Sequence, residues 1–212
     1  MVFLLEFALL VGTDCRYMIK LVQDIALMYG LVNKAVEQLV QRQFGEDKWM
    51  EIKNKAGVDS NFVAMGSYPD EVTFSLVAAA SEVLGSPPEA ILEAFGEHWI
   101  QFTVDEGYGE MMAMYGSSVF EFLNNMNSLH SQIRLSFPEL RPPVISCEEL
   151  PNGELLVNYE SEREGLAPML VGLLSGLGKR FKTPVKVEYV AGTSESNGGA
   201  QYKVSYVNEK AA

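Results

Sequence analysis

Cysteine and histidine, two residue types that carry much of protein chemistry, occur only twice each in this 212-residue chain. Cys15 and Cys147 stand far apart and form neither a C-x-x-C pair nor a Cys/His zinc spacing. This pattern argues against a disulfide framework and a zinc site, and it favours a reducing, cytoplasmic compartment. Any chemistry that needs an imidazole must use His98 or His130.

Positive charge is also scarce, because 16 lysines and arginines face 28 aspartates and glutamates and leave a formal net charge of −12. The phosphates of nucleic acids and anionic membrane surfaces repel such a chain unless its few cations cluster. The N-terminal apolar run contains Glu6 and is shorter than the roughly 20 residues that a spanning helix needs. We therefore expect neither nucleic acid nor a membrane as a partner.

The hydrophobic pattern changes at Met28, which separates an N-terminal extension of unassigned structure, residues 1–27, from a domain over 28–212. Apolar residues first recur at helical spacing, and prolines open several of the predicted helices. After Arg141-Pro142-Pro143 the pattern turns to strand-like alternation, which one amphipathic helix over 164–181 interrupts. The strands are predicted at 144–149, 154–161, 184–190 and 201–207. The predicted fold class is therefore α+β.

His130 lies in a predicted helix over 118–134, on one face with Phe122, Met126 and Ile133. That face is apolar, and its members follow the i, i+4, i+8, i+11 spacing of a single helical face. An imidazole in this position either hydrogen-bonds locally as part of the core or ligates a metal or a haem iron. His98 has no partner at metal-ligand spacing, so its case is weaker.

Tyr159, Ser161 and Arg163 alternate with glutamates at the end of a predicted strand. Alternate side chains of an extended strand share a face, so three hydrogen-bond donors project to one side. Such donors suit a ligand with two carboxylates, because the guanidinium fork of arginine matches a carboxylate. A solvated polar face of an amphipathic strand would give the same pattern.

Together with Pro143, thirteen residues after His130, these residues resemble the haem-binding signature of the H-NOX family. That family is the haem–nitric oxide/oxygen-binding domain related to the haem domain of soluble guanylate cyclase. The resemblance covers about residues 28–207. Within the family, the chain looks most like cyanobacterial stand-alone members. Its further motifs are Met28-Tyr29-Gly30-Leu31-Val32-Asn33-Lys34, Phe44-Gly45-Glu46-Asp47, Leu135-Ser136-Phe137-Pro138 and Arg141-Pro142-Pro143.

The resemblance implies a mainly helical distal part over 28–90 and a proximal part over 91–212 that contains a four-stranded antiparallel sheet. Haem b would lie between them, with His130 as the proximal ligand of its iron. Pro143 would pack on the porphyrin and distort it from planarity. The motif of Tyr159, Ser161 and Arg163 would hold the haem propionates.

The resemblance also implies a gas sensor rather than an enzyme. Trp99 and Met169 match positions in the distal pocket, and no tyrosine occurs in residues 165–170, where oxygen-binding relatives place one. Nitric oxide and carbon monoxide are therefore the expected ligands. The signal would pass by a conformational change to a separate protein, such as a histidine kinase or a cyclic-di-nucleotide enzyme.

Two other functions stay open on the sequence. A haem enzyme of the peroxidase type needs a distal acid–base group, and only His98 remains for that role. A non-haem adaptor module would instead use His130 as an ordinary core residue.

Overall fold

A computed structural model of the chain describes residues 27–59, 61–190 and 199–207. The predicted extension thus lies outside the described residues, apart from Leu27. None of the described helices combines the length and the apolar character that crossing a bilayer requires. The elements are β1 (Leu27–Tyr29), α1 (Gly30–Phe44), α2 (Glu46–Lys55), β2 (Ser67–Pro69), α3 (Asp70–Leu84), α4 (Pro88–Thr103), a π-helical turn (Val104–Tyr108), α5 (Gly109–Ala113), α6 (Val119–Ile133), β3 (Val144–Glu149), β4 (Leu155–Glu160), α7 (Ala167–Arg180), β5 (Val185–Tyr189) and β6 (Gly199–Tyr206).

The four C-terminal strands form one antiparallel sheet in the order β3-β4-β6-β5, which confirms the predicted α+β class and the four-stranded sheet. Strand β4 ends at Glu160 rather than at residue 161, because Ser161 bends the chain there. The pattern did not predict the small antiparallel sheet of β1 and β2. Each of these strands has three residues, which is too short for alternation to show.

Two hydrophobic cores share helix α4. The first contains buried residues of α1 to α4, and the second contains buried residues of α4 to α7 and of the sheet. Phe95 and Phe102 of α4 belong to the first core, Ile100 belongs to the second, and Trp99 packs against both. The predicted division between residues 90 and 91 stays a prediction.

Helices α4 and α7 touch through their backbones. A Cβ added at Gly172 would overlap the carbonyl oxygen of Glu93, and one added at Gly96 would overlap the carbonyl oxygen of Met169. Only glycine permits such an approach without pushing the helices apart. Trp99 on α4 and Met169 on α7 are therefore held at a fixed separation by two closely packed helices.

Candidate functional site

A largely apolar cavity lies where the two cores meet. Its volume is ≈ 260 Å³. Residues of β1, α1, α4 to α7, β3 and β4 all contribute to its wall. The seven residues singled out in the sequence all line it: Trp99, His130, Pro143, Tyr159, Ser161, Arg163 and Met169. The fold therefore brings these separate segments to one place.

His130 lies partly buried in the wall of this cavity. Burial lowers the pKa of His130 to about 4, and the nearby carbonyl of Pro143 opposes this shift with a smaller effect. The Nδ1 atom meets no other polar group within the described residues, so this carbonyl is the polar neighbour that acts on the ring. The imidazole is therefore neutral at neutral pH, the form in which histidine ligates metals.

Helix α6, which carries His130 in its last turn, begins at a hydrogen-bonded cap. The Ser118 hydroxyl accepts the backbone N–H of Glu121 at 3.2 Å. The Glu121 carboxylate in turn accepts the backbone N–H and the hydroxyl of Ser117 at 2.9 and 2.7 Å. These bonds satisfy donors that a helix N-terminus otherwise leaves unpaired, and they explain why α6 begins where it does.

Tyr159 is the only residue of the three-donor motif that lies within a strand. The Ser161 hydroxyl accepts the backbone N–H of Arg163 at 3.0 Å, which turns the chain away from the sheet. Burial raises the pKa of Tyr159, while the Ser161 hydroxyl and the Arg163 guanidinium act in the opposite direction with smaller effects. A turn, rather than the alternation of a strand, brings the second half of the motif to the cavity.

The Arg163 guanidinium is largely engaged by the protein itself. Its Nε donates to Asp70 at 2.6 Å, and its Nη2 donates to Asp70 at 3.3 Å and to the Leu27 carbonyl at 2.9 Å. Its Nη1 donates to the Arg141 carbonyl at 2.7 Å. A guanidinium has five N–H groups, so one, on Nη1, is left for a ligand. The fork does bind a carboxylate at two points, but that carboxylate belongs to Asp70.

Asp70 is a site residue that the sequence pattern did not predict. It is the first residue of α3, only 4% exposed, at the positive end of the helix dipole. In the sequence it resembles Glu71, another acidic residue in the same turn, which is exposed. No local pattern separates the two, because the partner of Asp70 lies 93 residues away.

Besides Tyr159, two further tyrosines line the cavity, and both lie outside residues 165–170, where oxygen-binding relatives place a tyrosine. Tyr29 accepts the backbone N–H of Glu139 through its hydroxyl at 3.2 Å. Tyr108 lies in the π-helical turn, directly after Gly107, whose φ of 94° favours glycine. Thr103 also lines the wall, but its hydroxyl lies 2.9 and 3.0 Å from the carbonyls of Trp99 and Ile100. Tyr108 is thus a cavity residue with a donor that the sequence did not reveal.

His98 lies outside this cavity. It lines a separate cavity of ≈ 570 Å³ together with Gln43, Glu97, Lys179 and others. Burial lowers the pKa of His98, and the Arg42 charge adds to this effect. No cluster of three or more histidine, cysteine, aspartate or glutamate residues in the described part of the chain could hold a metal ion.

The cavity beside His130 suits a particular ligand chemistry. Its walls are largely apolar, and one neutral imidazole is available to a metal. The hydroxyls of Tyr159 and Ser161 and one N–H of Arg163 lie together among the wall residues. A mainly apolar group that carries a metal ion and carboxylates matches this donor set. Haem has these properties, so the residues present fit the cofactor that the resemblance implies.

Comparisons with known proteins identify the family of the chain. A family model described as Haem-NO-binding matches residues 29–189. Soluble guanylate cyclase gcy-35 of Caenorhabditis elegans is 33% identical over 160 residues, which are 73% of this chain and 23% of that protein. Guanylate cyclase soluble subunit beta-2 of Rattus norvegicus is 37% identical over 93 residues, 44% of this chain and 14% of that protein. The chain thus spans less than a quarter of the length of these relatives.

Solved structures share the fold. An H-NOX protein from S. oneidensis in the Fe(II)NO ligation state aligns with a TM-score of 0.76 and 21% identity, over 85% of this chain and 100% of that chain. An oxygen-binding H-NOX domain related to soluble guanylate cyclases aligns with a TM-score of 0.71 and 20% identity, over 85% and 96%. At these identities the likeness concerns the fold alone.

The buried ion pair gives a stability prediction. Asp70→Ala leaves the Arg163 guanidinium, 12% exposed, without its anion. The free energy of unfolding of the haem-free protein should fall by about 3–5 kcal/mol, because an unpaired buried charge is costly. Urea titration followed by circular dichroism measures this. The matched control Glu71→Ala removes an exposed carboxylate from the same turn and should change stability by less than about 0.5 kcal/mol; equal losses in the two variants would contradict the assignment.

The buried histidine gives a pH prediction. The pKa of His130 is about 4 in the folded state against 6.5 for a free side chain, so the unfolded chain binds more protons between these values. The contribution of His130 to the stability of the haem-free protein is fully present above pH 6.5 and is lost as the pH falls toward 4, by about 3 kcal/mol in total. Urea unfolding of the unsubstituted protein and of His130→Leu at several pH values checks this. In His130→Leu the loss of stability between pH 6.5 and pH 4 should be smaller than in the unsubstituted protein. Plots of stability against pH that run parallel for the two proteins would refute the prediction.

Proposed function

The chain belongs to the haem-NO-binding family, whose members are haem-based gas sensors, and we propose that it binds nitric oxide and carbon monoxide at a haem b ligated by His130. When bound, this cofactor would supply a ferrous iron that takes a diatomic gas as a ligand. The observation that carries the proposal is the cavity, because the seven predicted residues line its wall together. We propose a sensor rather than an enzyme.

His130 would hold the iron. Burial keeps its imidazole neutral, so one ring nitrogen carries no proton and has a lone pair free to bind a metal. Its Nδ1 has no hydrogen-bond partner within the described residues. Metal-ligating histidines usually bond a carbonyl or carboxylate through the other nitrogen, which raises their basicity. The Pro143 carbonyl, which already acts on the imidazole, would take this part for His130.

Tyr159, Ser161 and Arg163 would hold the propionates. The two hydroxyls and the one remaining N–H of Arg163 are the donors available for them. Asp70 would hold the guanidinium in place by two bonds, so that the remaining N–H keeps its direction. Arg163 therefore contributes one directed bond and a positive charge, rather than a free fork.

Pro143, Trp99 and Met169 would shape the apolar part of the site. Pro143 follows Pro142 in a stiff segment that lines the cavity, and a rigid ring pressed on a porphyrin distorts it. Trp99 packs edge-on against Phe95, with ring centroids 6.0 Å apart, and this contact limits its movement. Met169 is apolar and donates no hydrogen bond to a bound gas.

Output to a separate protein completes the proposal. The match to soluble guanylate cyclase gcy-35 covers 23% of that protein. A conformational change at α6, which carries His130, would reach a partner such as a histidine kinase or a cyclic-di-nucleotide enzyme. A cytoplasmic location is part of the same proposal, and it is based on the scarcity of cysteine.

The experiment that tests the function is replacement of His130 by glycine. His130→Gly should lose haem during purification and regain it when free imidazole is supplied, because imidazole can occupy the space of the missing side chain. The absorption spectrum and the haem content per protein measure this. The control is His98→Gly, since His98 lines the other cavity. A Soret band in His130→Gly that is unchanged without imidazole would refute the assignment.

The same spectra decide between the proposal and its two alternatives. A non-haem adaptor would show no Soret band in the unsubstituted protein. A peroxidase-type enzyme would turn over peroxide, which needs a distal acid–base group. The position of His98 outside the cavity counts against that alternative, because no second histidine of the chain lines the cavity wall.

Ligand choice gives a further prediction. The ferrous protein should bind nitric oxide and carbon monoxide and form no stable oxygen complex, because residues 165–170 place no tyrosine as a donor toward bound oxygen. Exposure of the ferrous protein to air, followed by absorption, measures this. A persistent oxygenated spectrum would contradict the prediction. Tyr108→Phe would then show whether the tyrosine that the structure adds to the cavity wall is the donor.

A further inference from the structure

One side chain, Asn127, ties the helix that carries His130 to the edge of the four-stranded sheet. Its Nδ2 donates to the Ile145 carbonyl at 2.8 Å, and its Oδ1 accepts the Ile145 N–H at 3.1 Å. Strand β3 is an edge strand, and the outer side of an antiparallel edge presents the N–H and C=O groups of alternate residues. The Asn127 carboxamide therefore occupies, at Ile145, the place that a further strand would take.

Within the described part of the chain, no other hydrogen bond joins α6 to the sheet. Asn125 donates to the Tyr115 carbonyl at 3.0 Å, before the helix, and Ser131 donates to the carbonyl of Asn127 itself at 2.8 Å. The Nδ1 atom of His130 makes no hydrogen bond to a strand of the sheet. The position of α6 against the sheet thus depends on Asn127 and on apolar packing.

Ile145 connects this contact to the cavity. It is 3% exposed, it lines the cavity two residues after Pro143, and it pairs with Tyr159 across the β3–β4 ladder. Asn127 and His130 are three residues apart on α6, which makes them neighbours on the helix surface. Ile145 therefore links α6, which bears His130, to Pro143 along the chain and to Tyr159 across the sheet.

We propose that Asn127 is a positioning residue for His130. By holding α6 against β3, it sets the place of His130 relative to Pro143 and so the strength with which His130 binds the iron. The inference rests on the proposed function, since it concerns haem bound at His130. Asn127 is exposed and does not line the cavity, so its loss should change the iron–histidine bond without emptying the site.

The test compares Asn127→Ala with Asn124→Ala in the full chain. Both variants remove an exposed carboxamide from α6. Asn127 bonds the backbone of Ile145, whereas the Asn124 side chain makes no hydrogen bond within the described residues. Amide hydrogen exchange at Ile145 in the haem-free protein reports the contact itself. The iron–histidine stretching band of the ferrous, haem-loaded protein, measured by resonance Raman, reports the position of His130.

In Asn127→Ala, exchange at Ile145 should accelerate at least about fivefold, as expected for the loss of a hydrogen bond, and the stretching band should shift. Asn124→Ala should match the unsubstituted protein in both measurements. Asn127→Gln retains the carboxamide on a stem one methylene longer, so it should restore part of the protection and part of the band position.

Faster exchange at Ile145 without a shift of the band would overturn the proposal, because the contact would then not reach His130. An equal shift in Asn124→Ala would overturn it as well, since the effect would belong to the whole helix. Absence of the band from the unsubstituted protein would contradict the proposed function together with this inference. A band that is present but insensitive to Asn127 contradicts the inference alone.

Discussion

The ion pair between the Arg163 guanidinium and Asp70 is the interaction that holds the polar end of the cavity together. It joins the start of α3 through Asp70, strand β1 through Leu27, and the segment before β3 through Arg141. Charge-assisted bonds are stronger than neutral ones, and here they hold segments of both cores at one point. Without this pair, a buried positive charge would lie at the cavity wall and would draw water or a counter-ion into an apolar site.

A second constraint acts at His130. Its imidazole stays neutral because apolar walls surround it, and its helix is held to the sheet by the Asn127 carboxamide rather than by any bond of its own. The closely packed helices α4 and α7 hold another part of the cavity wall in place.

The fold itself was accessible from local patterns to a large extent. The strand at 144–149 was predicted with its observed bounds, and the helix over 118–134 differs from α6 by one residue at each end. The period of apolar residues is a local property, so it can be found without tertiary information. The three-residue strands β1 and β2 were missed because their pairing, not their composition, makes them strands.

The sequence by itself determined the α+β class and the apolar face that bears His130, because spacing along one helix decides which side chains share a face. It also identified the motif of Tyr159, Ser161 and Arg163, but a turn after the strand, not strand spacing, brings Ser161 and Arg163 to the cavity. Only the tertiary structure decided which acid pairs with Arg163, which tyrosines reach the cavity, and that His98 lies elsewhere. Asp70 and Glu71 are chemically alike and adjacent, yet one is buried against a guanidinium 93 residues away and the other faces solvent. Such differences arise because burial and charge pairing depend on how distant segments pack, and no window of the sequence contains both partners.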